Sequence, residues 1–482
     1  MDVSSDTEKE SLGVSPAVLA KRYLVKPNPW CSKLDLEFDV YCDAANPKLI
    51  SYKSITKAAS EIKSVIAKTP LRKSKCCVQF NMELHYKFEL FHQTGSFHER
   101  SALYSLKMLD ERQRAAGVIT ASLGNWAQVG NTINTYHALA YYGKRLGIPV
   151  TVVLPVHTMP DITKKCEDFG AQVILRGNDF GEAKRQAFQI ISNGKNCSYI
   201  NGYDHPNVIT GAGTIGLEIL EQLPGTQVIL VPVGGGGLIA GIATAVKQLR
   251  PEILIYGIQS DKCGSFYKAM ENNRPINTSV NHGLAESLAI PLVGYNAFHS
   301  AHHLVDKMVL VNDDSLTRAI LHLAEEEKVI TEGAGAISVA ALLAAPNILP
   351  ELQNKTVVCV ITGGNINHII LTRCLDRAKA IEGRLIKITI KLATEDSKGH
   401  AKILRIIASM SCNILQSYRE SGWLIEDRFY TTYLILICET RGIQHACSVK
   451  RVLNTLFPDL CQFEEEPFNP VEACCCFPKR FP

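Results

Sequence analysis

At 482 residues the chain has room for two to four domains of roughly 150 residues, and 46% apolar against 20% charged residues is the balance of a globular protein with a large core. Lysine and arginine number 51 against 47 aspartates and glutamates, a net charge of +4, which argues against a nucleic-acid binder, since phosphate contacts need a marked basic excess. Aromatic residues at 7% together with 33 glycines exclude a coiled coil or a collagen-like rod.

Residues 1–50 show little periodicity and hold Pro27, Pro29 and Pro47, the pattern of an extended N-terminal arm. Met1–Val14 has neither the apolar segment of a signal peptide nor the arginine-rich pattern of an organellar leader, so a cytoplasmic protein is expected. From Ser54, apolar residues at helical spacing predict a helix that ends before Thr69-Pro70. Short apolar runs then alternate with helical patterns. Strands are expected at Gly117–Ala121, Val150–Leu154 and Val173–Leu175, with helices from Trp126 to Arg145 and from Ile162 to Phe169. Further strands are expected at Val228–Val233, Leu254–Ile258 and Val357–Ile361, which predicts a parallel sheet covered by helices over residues 51–380. Val228–Val246 is uncharged and long enough for a membrane span. Pro232 and Gly234–Gly237 would cost several kcal/mol inside a helix, at about 1 per glycine and 3 for proline, so strand, glycine loop and helix is the better reading.

Beyond Glu382-Gly383 the pattern becomes strand (Leu385–Ile390), helix (His400–Met410), strands (Ile414–Ser417 and Phe429–Cys438), helix (His445–Leu456) and a short strand near Cys461–Phe463. This is a βαββαβ, ferredoxin-like module over residues 383–463. The acidic, proline-bearing segment 464–482, with Cys474, Cys475 and Cys476, is expected to lack structure. The 16 cysteines show no metal-ligand spacing and read as reduced thiols; adjacent cysteines near a terminus are also a palmitoylation pattern, but no basic cluster accompanies them.

Four loops carry the chemistry. Gly234, Gly235, Gly236 and Gly237 join a strand to a helix, where close backbone N–H groups and the positive helix end cradle a phosphate. Thr94-Gly-Ser-Phe-His-Glu-Arg100 and Ser122-Leu-Gly-Asn-Trp-Ala-Gln128 read by spacing alone as polar loops that open helices. Thr362-Gly-Gly-Asn365 follows a strand at its carboxyl end, where open α/β sheets bind ligands. His98 and the pair His302-His303 form no metal spacing, His282 reads as lining a loop, and no metal is expected.

Taken in order, and with Thr69-Pro-Leu71 and Gly213-Thr-Ile-Gly216, these loops resemble the pyridoxal-phosphate threonine/serine dehydratase family, of which serine racemase is a close relative. The resemblance covers residues 50–380 and implies the two-lobed, fold-type-II architecture, with an ACT-like regulatory module after it. It implies pyridoxal phosphate as cofactor, held at its phosphate by Gly234–Gly237, at its 3′-oxygen by Asn125 and at its pyridine nitrogen by Thr362, with Phe97 beside the catalytic position. It also implies conversion of threonine to 2-oxobutanoate, or serine to pyruvate, with release of ammonia. The family's Schiff-base lysine is replaced here by His98, which has no primary amine to form that bond and retains only an acid–base capacity. Around the substrate position, formed by Ser122, Leu123, Gly124 and Trp126, the bulky Leu123 and Trp126 replace smaller or polar family residues. Gln259 and Ser265 stand where serine racemase has acidic cation ligands.

These departures favour a weakly active or inactive regulatory relative that binds pyridoxal phosphate without a covalent bond. The alternatives are an active lyase, using another amine or free pyridoxal phosphate with His98 as base, and a non-catalytic interaction protein. Expected partners are threonine, serine or an amino-acid effector of the ACT-like module, a second copy of the chain, and an active paralogue in a mixed oligomer.

Overall fold

The computed structural model describes residues 39–75, 81–121, 134–344, 349–393, 397–421, 431–458, 460–464 and 474–478. Residues 39–50 run without helix or strand. They are held where Asn296 accepts from Lys48 N at 2.6 Å and donates to Tyr41 O at 2.7 Å, and where Ser300 Oγ accepts from Ile50 N at 3.1 Å. The first helix, Tyr52–Ile62, starts on a Ser51 cap and buries Ile55, Ala58 and Ile62, the one-face spacing read from the sequence.

Strands β1 (Leu71–Lys73) and β2 (Glu83–Phe88) begin a sheet that the chain then leaves. It builds a second, wholly parallel sheet from β3 (Val118–Ala121), β4 (Val150–Leu154), β5 (Gln172–Leu175) and β6 (Ser198–Tyr199), in the order β5-β4-β3-β6. It returns with β7 (Val228–Pro232), β8 (Leu254–Ser260), β9 (Lys307–Val311) and β10 (Thr356–Ile361), giving the order β1-β2-β10-β7-β8-β9 with every pair from β2 to β9 parallel. The central strands are unbroken apolar runs, buried throughout in β7, because helices cover both faces. A smaller lobe is thus inserted in a larger one. The uncharged run Val228–Val246 is β7, a glycine turn and the start of the helix Gly237–Leu249, and among the described residues no helix is long and apolar enough to cross a membrane.

The C-terminal strands β11 (Leu385–Ala393), β12 (Asn413–Ser421), β13 (Thr431–Glu439) and β14 (Cys461–Glu464) form an antiparallel sheet in the order β12-β13-β11-β14. With the helices Ser397–Ser409 and Ile443–Leu456 this is the ferredoxin-like element order. Ile386, Ile388, Ile390 and Leu392 alternate onto one buried face against Ile403, Ile407, Val449 and Leu453. Arg384 fastens the start of this unit to the larger lobe through two contacts with Glu325, at 2.7 and 2.8 Å. One expectation needs correction. The segment 464–482 is not wholly without structure, because β15 (Cys474–Pro478) adds antiparallel to β9. Its apolar run satisfies the backbone groups on an otherwise open sheet edge, which outweighs the polar composition of the residues before it.

Behind the first loop lies a buried charge network. Arg100, 1% exposed, donates from Nε and Nη2 to Glu89 at 2.7 and 2.9 Å, and from Nη1 and Nη2 to Glu218 at 2.6 and 2.9 Å. Lys87 Nζ donates to Glu218 at 2.7 Å, to Gln222 at 2.8 Å and to Thr69 O at 2.9 Å. Arg100 holds the buried Glu89 carboxyl well below the usual carboxylate range despite the opposing effect of burial. Removing one member leaves the others buried without compensation. Glu218→Ala is therefore expected to cost about 3–5 kcal/mol of stability, measured by urea unfolding at neutral pH. A loss below about 1 kcal/mol would show that the network does not hold this region.

Candidate active site

Three of the four loops meet at one cavity at the carboxyl ends of the strands of the larger sheet. Its wall includes Phe97, His98, Asn134, Tyr203, Gly234, Gly235, Gly236, Gly237, Glu332 and Thr362. The first and last loops are stitched together. Ser96 bridges Gly363, Phe97 N donates to Thr362 O at 3.0 Å, and Gly364 N donates to Gly95 O at 3.0 Å. Asn365 Nδ2 also donates to Thr94 O at 2.7 Å.

The glycine loop is shaped for close backbone approach. Gly236 has φ +97°, a left-handed conformation, and caps the helix Gly237–Leu249. A Cβ on Gly237 would lie 2.2 Å from Tyr203 O. The turn thus brings main chain and a helix N-terminus to the cavity wall with no side chains in the way, the arrangement that holds a phosphate. Gly237→Ala is expected to weaken binding of a phosphate-bearing ligand at least about tenfold by titration calorimetry, since the added carbon must displace the loop or Tyr203. Unchanged affinity would rule out this turn as the anion site.

His98 is the first residue of the helix His98–Lys107. Its ring lies 3.9 Å from that of Phe97, centre to centre and tilted 36°, and its Nδ1 is 3.2 Å from Ser96 Oγ. Burial pushes the imidazole down to about 3, so it is neutral at pH 7. Among the described residues no lysine lines the cavity, and the neighbouring stretch 122–133 contains none in its sequence. Thr362 lies on the wall with its Oγ1 donating to Ala334 O at 3.3 Å. Gln259 and Ser265 are both fully buried, and among the described residues no group of three or more acidic, histidine or cysteine side chains is placed to hold a metal.

Ser122, Leu123, Gly124, Asn125 and Trp126 lie outside the described residues. Two wall residues were missed by sequence reasoning. Asn134 is the first described residue of the helix Asn134–Leu146 and lines the cavity; the expected start at Trp126 lies outside the described residues. Its Nδ2 donates to Glu332 Oε1 at 2.7 Å and its Oδ1 accepts from Asn365 Nδ2 at 2.6 Å; Lys165 Nζ donates to Asn365 Oδ1 at 3.2 Å. Glu332 was detectable as the sole charged residue in the run Val329–Pro350. Asn134 had no such signal, since it follows two other asparagines in one polar stretch.

A family profile described as "Pyridoxal-phosphate dependent enzyme" matches residues 62–363. The chain belongs to this family. It is 36% identical over 408 residues to an L-threonine ammonia-lyase of Thermotoga maritima, covering 84% of this chain and 97% of that one. A Geobacter sulfurreducens protein of the same name is 34% identical over 401 residues, covering 82% and 95%. Among solved structures, the processed form of threonine deaminase isoform 2 from Solanum lycopersicum superposes with a TM-score of 0.63 at 28% identity, over 70% of this chain and 93% of that one. Maize serine racemase gives 0.62 at 26%, over 68% and 98%. These relatives support the lyase resemblance and the fold-type-II architecture.

Burial pushes the Glu332 carboxyl up from 4.5 to about 7, against the opposing effects of the Asn134 hydrogen bond and the field of Lys165. The sign follows from proton linkage. Below pH 4.5 the folded and unfolded states both hold the proton; up to about pH 7 the folded state alone holds it; above that the buried charge costs about 3 kcal/mol. His98, the neighbouring titratable group on the wall, is neutral across this window. Glu332→Gln should therefore gain about 3 kcal/mol relative to the native chain between pH 4.5 and pH 8, read from urea unfolding at both values. An identical difference at the two pH values would contradict this.

Proposed function

We propose that this member of the family binds pyridoxal phosphate, or a similar phosphate-bearing aromatic, reversibly and acts as a weakly active or inactive regulatory relative of the threonine/serine ammonia-lyases. The observation that carries this reading is a glycine cradle whose cavity has His98, and among the described residues no lysine, on its wall. When bound, pyridoxal phosphate supplies a ring that withdraws electrons from the α-carbon of an attached amino acid. In this reading Gly234–Gly237 bind the phosphate, Asn125 meets the 3′-oxygen, Thr362 faces the pyridine nitrogen, Phe97 lies beside the catalytic position, and Asn134 adds a polar group to the wall. His98 keeps an imidazole so poorly basic that proton removal gains little from it.

Borohydride treatment with pyridoxal phosphate, followed by peptide mass analysis, is expected to yield no pyridoxyl-lysine from the cavity. His98→Lys should yield one at position 98 while ammonia release from threonine stays low, because Leu123 and Trp126 remain. Adding Leu123→Ala and Trp126→His should raise release at least about tenfold above the native chain, since groups within one site act together. Native ammonia release equal to that of the triple variant would overturn the reading. One observation favours an active lyase instead. Lys165 is bonded to Asn365, which also holds the cavity residue Asn134, and a pyridoxyl group found on Lys165 would identify it as the substitute amine.

The C-terminal unit is the proposed ACT-like regulatory module, the assembly at least a homodimer with a mixed oligomer where an active paralogue is present, and the location cytoplasmic. A panel of L-amino acids is expected to change the solution mass of the full-length protein in light scattering, because an effector shifts assembly only by binding two states unequally. The absence of both binding and a mass change would refute a regulatory module.

A further inference from the structure

Glu332 caps the helix Gly333–Leu343 and is 2% exposed, on the wall of the cavity. Its Oε1 accepts from Asn134, whereas its buried Oε2 has no hydrogen-bond partner. Among the described residues, neither lysine nor arginine lines the cavity. The cation whose field reaches Glu332, Lys165, is exposed and engaged with Asn365. The cavity therefore combines an anion cradle at Gly234–Gly237 with a carboxyl oxygen that has no donor.

A buried acceptor left unpaired is unfavourable, and a ligand that donates to it removes that penalty. An aldehyde brings only another acceptor, and pairs with Glu332 only if the carboxyl keeps its proton. A primary ammonium donates directly and neutralises the carboxylate, and no cationic side chain on the wall repels it. With His98 in place of a lysine, the wall also offers no amine to make an aldehyde the favoured form.

We propose that the cavity selects a phosphate ester bearing a primary ammonium over the corresponding aldehyde, with Gly234–Gly237 holding the phosphate and Glu332 Oε2 accepting from the ammonium. This rests on the phosphate-binding reading above and names the ligand class for the same site. Raised by burial, the Glu332 carboxyl gains its charge most readily when such a cation is present.

Titration calorimetry at pH 8 on the full-length protein, with pyridoxamine 5′-phosphate and pyridoxal 5′-phosphate as probes, tests it. The amine is expected to bind about 10- to 100-fold more tightly than the aldehyde, the range of one hydrogen bond to a charged group. Glu332→Gln should abolish that preference, read as the ratio of the two affinities measured in the same variant. Glu332→Asp keeps the charge but withdraws the oxygen, and should also reduce the preference; it decides the matter if the glutamine variant does not fold. Equal affinity for the two probes, or a preference that survives in the folded variant, would overturn the proposal and leave the phosphate reading standing. Binding of neither probe would overturn the phosphate reading, and this one with it.

Discussion

Arg100 is the residue on which the geometry of the cavity depends. Its guanidinium is buried between Glu89, just after β2, and Glu218, on the helix Pro206–Gln222. It lies two residues after His98, so these contacts fix the start of the helix His98–Lys107 against the larger sheet. A planar, permanently charged group with five donors can satisfy two carboxylates at once, which lysine cannot do. Such a network adds little net stability compared with an apolar core. Its contribution is to hold a loop end in one place.

The cavity that results is electrostatically asymmetric. On one part of its wall the glycine turn and the helix Gly237–Leu249 present main-chain donors and the positive end of a helix. Glu332 carries the acidic group, and His98, neutral through burial, adds no charge. Tyr203 buttresses the glycine turn, since its carbonyl and ring pack against it while its backbone N–H is held by Asn201 at 3.1 Å. The last loop is held by Asn365, which links Thr94, Asn134 and Lys165.

The link between the two folded parts is local. Arg384 grips Glu325 within a π-helical turn, Leu323–Glu327, and Glu332 lies seven residues further along the chain. Widened turns of this kind occur where a helix must be re-aimed. Here the turn ends at Lys328 in the left-handed region, and the chain then runs without helix or strand to the extended Glu332 at the start of the helix Gly333–Leu343.

Much of the architecture was legible in the residues because it depends on local periodicity. Val150–Leu154 and Val228–Pro232 are apolar runs that make poor surface but good buried strands, and alternation with helical patterns implied a parallel sheet. Four successive glycines likewise announced a turn with no room for side chains, and Ile386, Ile388 and Ile390 announced a half-buried antiparallel strand. Tertiary structure alone decided which polar groups face one another. Asn134, Glu332 and Asn365 are far apart in the chain and meet only because their loops converge at the carboxyl ends of neighbouring strands. The pairing of Cys474–Pro478 with β9 was equally hidden, because an open sheet edge belongs to the folded sheet and not to either segment. Periodicity is written along the chain, whereas the low dielectric that turns His98 neutral and raises the Glu332 carboxyl arises only from what is packed around them.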